Sequence, residues 1–413
     1  MNYKLFLTLI GIGLFACSTP KETTRSDSKD NHQKAIELSQ KFIITDGHVD
    51  LPYRLKIQNF RLEKEYLGIP ISSKEGDFDY SRSKAGGLDA PFMSIFVPAN
   101  LQSEAGASKD MADSLINMIE GIIANHPQEF GAAKSPAEVI VNYERGKVSL
   151  PMGMENGSPI EDDINNVSYF KNRGISYITL THSKNNQICD SSYDTTRVWQ
   201  GLSPFGEEVV KEMNRVGIMI DISHVSDSTF YDVMKLTKAP VIASHSSCRY
   251  FTPGFERNMS DPMLKALKSN GGVIMINFGS SFIDKKVQED RDSLINIYQM
   301  ELDSNNVERD SDQAKLIRDN IFNNNPVMWS DISVVADHID HVVKIAGIDH
   351  VGFGSDFDGV GDSLPKGLKD VSDYPNLIEV LLDRGYSEKD IEKICFGNLQ
   401  RVWQKVLDKA EKS

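Results

Sequence analysis

Cysteine is scarce in this chain, with four residues among 413, so a disulfide scaffold is excluded as the source of its stability. Positive charge is also short: 45 Lys and Arg stand against 59 Asp and Glu, a formal charge of −14. So acidic a chain lacks the basic surface that a phosphate backbone requires, which argues against nucleic acid as a partner. The acidity fits a solvated exterior and says little about substrate. The apolar run Leu5–Ala16 is too short to cross a bilayer as a helix, and no repeat of solenoid period is visible. What remains is the make-up of a globular protein, 40% hydrophobic and 25% charged. The length suffices for one large barrel or two ordinary domains.

The N-terminus reads as a signal peptide over residues 1–16, with Lys4 as its positive start and Leu5–Ala16 as its apolar stretch. It ends in Leu14-Phe15-Ala16-Cys17, which resembles the lipobox of bacterial lipoproteins, where the Cys becomes the lipidated first residue. An ordinary secretory signal with a chance Cys is the plainer alternative. On the lipobox reading Cys17 carries a lipid, and the protein is exported and held on the bacterial cell envelope, at the inner or outer membrane. Residues 17–40 then form a lipid-anchored tether, expected to be flexible because Ser18 to about Gln33 are polar and charged. Cys189, Cys248 and Cys395 remain, an odd number. Buried or free thiols are the simplest expectation, although export permits one disulfide.

Eight short apolar or β-branched runs stand out: Phe42–Asp46, Met93–Val97, Leu150–Met154, Ser176–Thr181, Gly217–Ile222, Pro240–Ser244, Gly272–Phe278 and His350–Gly354. They are continuous rather than alternating, as in strands covered on both faces. Helix-period segments separate most of them, among them Lys109–Ala124, Pro204–Arg215, Asp227–Leu236, Pro262–Lys268 and Ile332–Ala346. Eight such units predict a distorted (β/α)₈ barrel with inserted helical segments. Residues 55–90 and roughly 98–149 are long charged connections. Residues 280–328 form a charged insertion with helical patterns at Asp292–Leu302 and Asp312–Phe322, read as a lid, an oligomer contact or a solvated hairpin. Helical patterns at Pro375–Arg384 and Glu388–Asp408 close the domain.

Several of these runs end in chemistry. His48 and Asp50 sit two apart at the end of the first, so both side chains can face one metal. Glu155 follows the third run beside Gly157, and its two oxygens could bridge two metals. His182 ends the fourth. His224 and His245 close consecutive units, each in a Ser-His pair. Any one of these alone is weak, because a strand-end His is usually structural. Together they suit a divalent cation with imidazole and carboxylate donors, zinc foremost. Asp356 and Asp358 end the eighth strand. One of them could move a proton from water to a leaving amine, and the other could serve only the turn around Gly354 and Gly359. Arg249 and Arg257 follow His245, where an arginine could hold a carboxylate.

These residues resemble the membrane dipeptidase (renal dipeptidase) family of zinc peptidases. The matching pieces are Asp46-Gly47-His48-Val49-Asp50-Leu51-Pro52, Gly153-Met154-Glu155-Asn156-Gly157, Leu180-Thr181-His182, Ile222-Ser223-His224-Val225-Ser226, Ala243-Ser244-His245-Ser246-Ser247, Arg257-Asn258 and Gly352 to Gly359. They run in order from about residue 42 to 405. The family's Asn after His48 is Val49 here, and the 280–328 insertion is longer than the family leads one to expect. The resemblance implies a metallo-dependent hydrolase barrel over residues 41–413 with two zinc ions, His48 and Asp50 holding one, His224 and His245 the other, and Glu155 bridging. It implies Asp356 as acid/base, His182 as the residue that steadies the scissile carbonyl, and Arg257 as the anchor for the terminal carboxylate of a small dipeptide. A C-terminal D-residue could be accepted, and a homodimer is a family-level expectation. Two other readings stay open: a same-fold amidohydrolase acting on lactams, lactones or N-acyl amino acids, and a lipoprotein that binds peptides without cleaving them.

Overall fold

The structure, a computed structural model, describes residues 25–58, 71–309 and 311–410. The expected signal peptide and Cys17 lie outside the described residues. Eight parallel strands form one sheet in sequence order. They are β1 (Ile44–Val49), β2 (Leu88–Phe96), β3 (Met152–Glu155), β4 (Ile175–Thr179), β5 (Met219–Asp221), β6 (Ile242–Ser246), β7 (Val273–Ile276) and β8 (Val351–Phe353). Every strand pairs with the next, and almost every strand residue is buried, as the unbroken apolar runs require.

The sheet closes on itself without a full β8–β1 ladder. Asp50 N bonds to Phe357 O at 2.8 Å and Asp356 N to His48 O at 3.1 Å. Below them the buried Asp46 carboxylate accepts from Ser355 N at 2.9 Å and from the hydroxyl of Tyr374. Two of the register shifts fall at the C-terminal halves of β1 and β6, where His48 and His245 sit, which is the distortion expected of a strand end that re-aims a side chain. Gly47 and Gly354 allow this closure. A β-carbon on Gly47 would lie 2.3 Å from Ser244 O, and one on Gly354 would lie 2.0 Å from the same atom. The other end of the barrel is filled by the last helix, Asn398–Lys409: Leu399, Val402 and Trp403 pack with Phe92, Tyr177 and Met275 in one buried cluster.

Helices cover the outside, with serine caps at several starts: Ser203 bonds Gly206 N at 2.8 Å ahead of Pro204–Val216, and Ser226 bonds Thr229 N at 3.2 Å ahead of Asp227–Leu236. The connection expected over 98–149 holds helices Ala107–Asn125 and Pro136–Glu144 and a two-stranded side sheet, Phe130–Ala132 with Val148–Leu150. The third predicted strand therefore needs correction. Leu150–Met154 straddles two strands, split at Pro151, which cannot donate to a ladder. Within the 55–90 connection, residues 59–70 lie outside the described residues.

The tether also needs correction. From Arg25 to Lys41 the chain is a helix, and Ala35 and Leu38, three apart on one face, are buried. Asn31 Nδ2 bonds Asp383 at 2.8 Å and His32 Nδ1 meets Glu379 at 2.7 Å, which fixes the helix to Tyr374–Asp383. The insertion is a helical hairpin, Lys285–Asn305 and Asp312–Asn324, entered through the short helix Ser280–Ile283. Among the described residues no helix is long and apolar enough to cross a membrane. Cys189, Cys248 and Cys395 are free and buried.

Candidate metal centre and active site

The C-terminal ends of the strands bring the predicted residues to one point. Glu155, at the end of β3, stands at its centre. Its Oε2 lies 3.3 Å from His48 Nε2, while its Oε1 lies 3.1 Å from His224 Nε2, 3.3 Å from His245 Nε2 and 3.6 Å from His182 Nε2. His48 Nε2 lies 3.5 Å from Asp50 Oδ2. The donor atoms form three overlapping groups: His48, Glu155 and His245; Glu155, His182 and His224; His48, Asp50 and Asp356. His224 and Asp356 both have left-handed backbones, φ 67° and 65°. For residues other than glycine this is a strained conformation of the kind that clusters at functional sites.

Partners behind these side chains decide which ring nitrogen faces inward. His48 Nδ1 lies 2.9 Å from the Tyr177 hydroxyl, which itself donates to Gly47 O at 3.0 Å. The hydroxyl's proton is thereby used, so Nδ1 carries a proton and Nε2 is the nitrogen turned to the cluster. The same logic applies to His245. Its Nδ1 lies 2.7 Å from Ser244 Oγ, and that hydroxyl donates to Asp221 Oδ2 at 2.6 Å. Asp221, buried within β5, also accepts from Thr179 Oγ1 at 2.5 Å and from the amides of Ser223 and Ser244 at 3.0 and 2.8 Å. Asn277 Nδ2 donates to Asp356 Oδ2 at 2.8 Å. The sequence reading missed Tyr177, Asp221 and Asn277. An acid inside the apolar run Ile218–Ile222 was the available signal for Asp221.

The electrostatics follow from burial and crowding. Burial works against the Glu155 carboxylate, but His48, His182 and the bonds to His224 and His245 outweigh it and hold it well below the usual range. Burial and the nearby Arg257 keep His224 well below the imidazole range, and burial with His48 does the same for His245, so both rings are neutral. Burial also lowers His182. For His48, burial is outweighed by Tyr177, Glu155 and Asp50, and the ring stands well above the usual range. Burial, with Asp50 and Glu155 adding, pushes the Asp356 carboxyl up to about 7.

Neutral imidazoles and converging carboxylates are the donor set of a divalent cation. Two buried atoms of the cluster's residues, His48 Nε2 and Asp50 Oδ1, have no hydrogen-bond partner, so the residues present fit a metal. Beside them a cavity of about 560 Å³ opens between Tyr53, Phe96, Tyr193, Phe282 and Arg291. Arg257 reaches the site but is packed: Nη1 bonds Ser246 Oγ at 2.7 Å, Nη2 bonds His245 O at 2.7 Å and lies 3.1 Å from His224 Nε2, and Nε has no partner. Arg249 is engaged elsewhere by the Asp227 carboxylate at 2.6 and 2.8 Å. Asp358 accepts from Asp77 N at 2.7 Å and lies 2.8 Å from Arg54 Nε, so it serves the loop rather than the cluster.

The family profile described as "Membrane dipeptidase (Peptidase family M19)" matches residues 32–413. Among solved structures, the probable dipeptidase PvdM from Pseudomonas aeruginosa is similar at 25% identity and TM-score 0.78, over 92% of this chain and 100% of that one. A metallopeptidase of the same family, dipeptidase AC, is similar at 25% identity and TM-score 0.72, over 88% and 98%. A metallopeptidase from Rhodobacter sphaeroides, liganded with a phosphinate mimic of L-Ala-D-Ala, shares the fold at 24% identity and TM-score 0.72, over 88% and 99%.

Proposed function

Because the chain belongs to the membrane dipeptidase family and is a metallo-dipeptidase, we propose that it works as a di-zinc enzyme on dipeptides with a free C-terminal carboxylate, D-residues included. The observation that carries the two-metal reading is the split of Glu155. One oxygen faces His48 and the other faces His224 and His245, the disposition of a bridging carboxylate. His48 and Asp50 would hold one zinc, His224 and His245 the other. Bound there, the ions supply Lewis-acid polarisation of the scissile carbonyl and acidify the attacking water.

The chain's own residues do the rest. Arg257 holds the substrate's terminal carboxylate through Nε, which has no other partner, and through the Nη2 hydrogen that meets His224 Nε2 and would be released by a metal on that nitrogen; this fixes the distance from chain end to scissile bond and restricts cleavage to dipeptides. The neutral His182 donates a hydrogen bond to the carbonyl oxygen as negative charge develops there. Asp356, steadied by Asn277, takes a proton from the attacking water and delivers it to the departing amine. Its elevated carboxyl pKa suits that exchange near neutral pH. With Cys17 lipidated, the enzyme would sit on the cell envelope and act in scavenging or in cell-wall peptide turnover.

The test is hydrolysis of L-Ala-L-Ala, L-Ala-D-Ala, L-Ala-L-Ala-L-Ala and L-Ala-L-Ala amide by protein lacking residues 1–17, with metals counted in the same sample. Cleavage of the first two alone, with about two zinc ions per chain, is expected. Equal cleavage of the tripeptide or the amide would refute the carboxylate anchor, and a single metal at full activity would refute the pair.

A further inference from the structure

The mechanism above leaves the insertion unused, yet its first long helix forms part of the cavity wall. Arg291, on Lys285–Asn305, lines the cavity beside Phe282 and Tyr193. The other arginines near the mouth are placed differently: Arg54 Nε lies 2.8 Å from Asp358 and its two Nη atoms, which have no hydrogen-bond partner, are buried against Gly76, Arg249 is gripped by Asp227, and Arg257, bonded to Ser246 and His245, is the anchor already assigned. Arg291 makes one neutral bond among the described residues, Nη1 to Ser281 Oγ at 3.2 Å. A half-buried guanidinium beside aromatic rings, with most of its donors unused, is a poor resting place for charge unless an anion arrives.

Its position relative to Arg257 says which anion. The Arg257 guanidinium lies 5.6 Å from the Phe282 ring centre, and Arg291 bonds the residue just before Phe282. Phe282 thus faces Arg257 and follows the residue that Arg291 holds. Tyr193 stands over His224 with ring centres 5.9 Å apart, and both arginines are close enough to act on its phenol, which burial raises to about 12. A ligand carboxylate on Arg257 therefore starts a path along Phe282 and Tyr193 that leads to Arg291.

We propose that Arg291 receives the side-chain carboxylate of the substrate's C-terminal residue, so that the preferred substrates are dipeptides ending in glutamate or aspartate. This rests on the dipeptidase reading with Arg257 as anchor. The methylenes of such a side chain would lie against Phe282 and Tyr193, and its carboxylate would take the fork that Arg291 leaves open.

The experiment compares L-Ala-L-Glu, its neutral isostere L-Ala-L-Gln, and L-Ala-L-Ala on the metal-loaded enzyme and on Arg291→Met, Arg291→Lys and Arg291→Glu. The readout is the ratio of kcat/KM for L-Ala-L-Glu over L-Ala-L-Gln within each protein, so a general loss of activity cancels. Wild type should favour the glutamate substrate roughly tenfold or more, chiefly through KM. Arg291→Met should bring the ratio near one, Arg291→Lys should retain part of it, and Arg291→Glu should invert it. A wild-type ratio of one or below, or a ratio unchanged across the variants, overturns the proposal while cleavage of L-Ala-L-Ala leaves the dipeptidase reading standing. Failure to cleave all three substrates overturns both.

Discussion

Asp221 touches no donor atom of the metal cluster, yet Asp221→Asn should cost the protein metal. One oxygen of Asp221 accepts from two backbone amides, Ser223 and Ser244, and the other accepts from two hydroxyls, Thr179 and Ser244. An asparagine can keep the two amide bonds only by turning its NH₂ toward the hydroxyls. Ser244 Oγ must then accept, and its own proton turns to His245 Nδ1, 2.7 Å away. The ring proton moves to Nε2, the nitrogen 3.3 Å from Glu155, and the lone pair that a metal needs is lost. Rebuilding the original tautomer means breaking that new bond in a buried setting, about 1.5–2.5 kcal/mol, or on the order of 10–100-fold in metal affinity. Competition with a chromogenic chelator measures this directly. Removing the relay with Ser244→Ala should abolish most of the Asp221→Asn penalty, because the two act through one proton. Wild-type metal affinity in Asp221→Asn, or a penalty that persists undiminished beside Ser244→Ala, would refute the tautomer argument.

Asp356→Asn should keep both metals and lose turnover by at least about 100-fold, since Asn277 can still bond the amide; metal analysis that shows one ion missing would make Asp356 a ligand instead. Arg257→Ala should raise KM for free dipeptides far more than for C-terminally amidated ones, and equal effects would remove Arg257 from the carboxylate. Asp89 offers a pH test away from the site. Burial pushes its carboxyl up to about 7 despite Lys84 at 3.7 Å, so the folded state binds a proton that the unfolded state has released by about pH 4. Its stabilising contribution is full below pH 4 and is lost as pH rises toward 7, a swing of up to about 4 kcal/mol. Asp89→Asn should therefore raise Tm at pH 8 and leave it nearly unchanged at pH 4; the same shift at both would exclude titration as the cause.

Eight strands were visible in the sequence because strands covered on both faces are built on continuous apolar or β-branched runs, interrupted mainly by the polar residues that make the site and its supports. The two three-residue strands at Phe130 and Val148 were not, because a run that short has no period to detect. The reading of residues 17–40 as a tether missed the helix that begins at Arg25, because Ala35 and Leu38 are its buried apolar residues and the surrounding Lys, Glu and Gln hide them. In the site, strand-end position exposed His48, Asp50, Glu155, His182, His224, His245 and Asp356, and the structure brings them together. Tyr177 and Asn277 had no such mark. A tyrosine in a strand is ordinary, and its value here comes from a histidine 129 residues away, which no local pattern encodes.

The seam between β8 and β1 has a kinetic consequence. Ser355 N and Asp46 Oδ1, whose bond closes the barrel, are separated by 309 residues, among the longest loops this chain can form. Contacts of such separation are late to gain in folding, and during synthesis the first half of the donor set must wait for the last strand. His48 and Asp50 emerge early and Asp356 nearly at the end, so the hydrolytic centre cannot exist in any partly made chain.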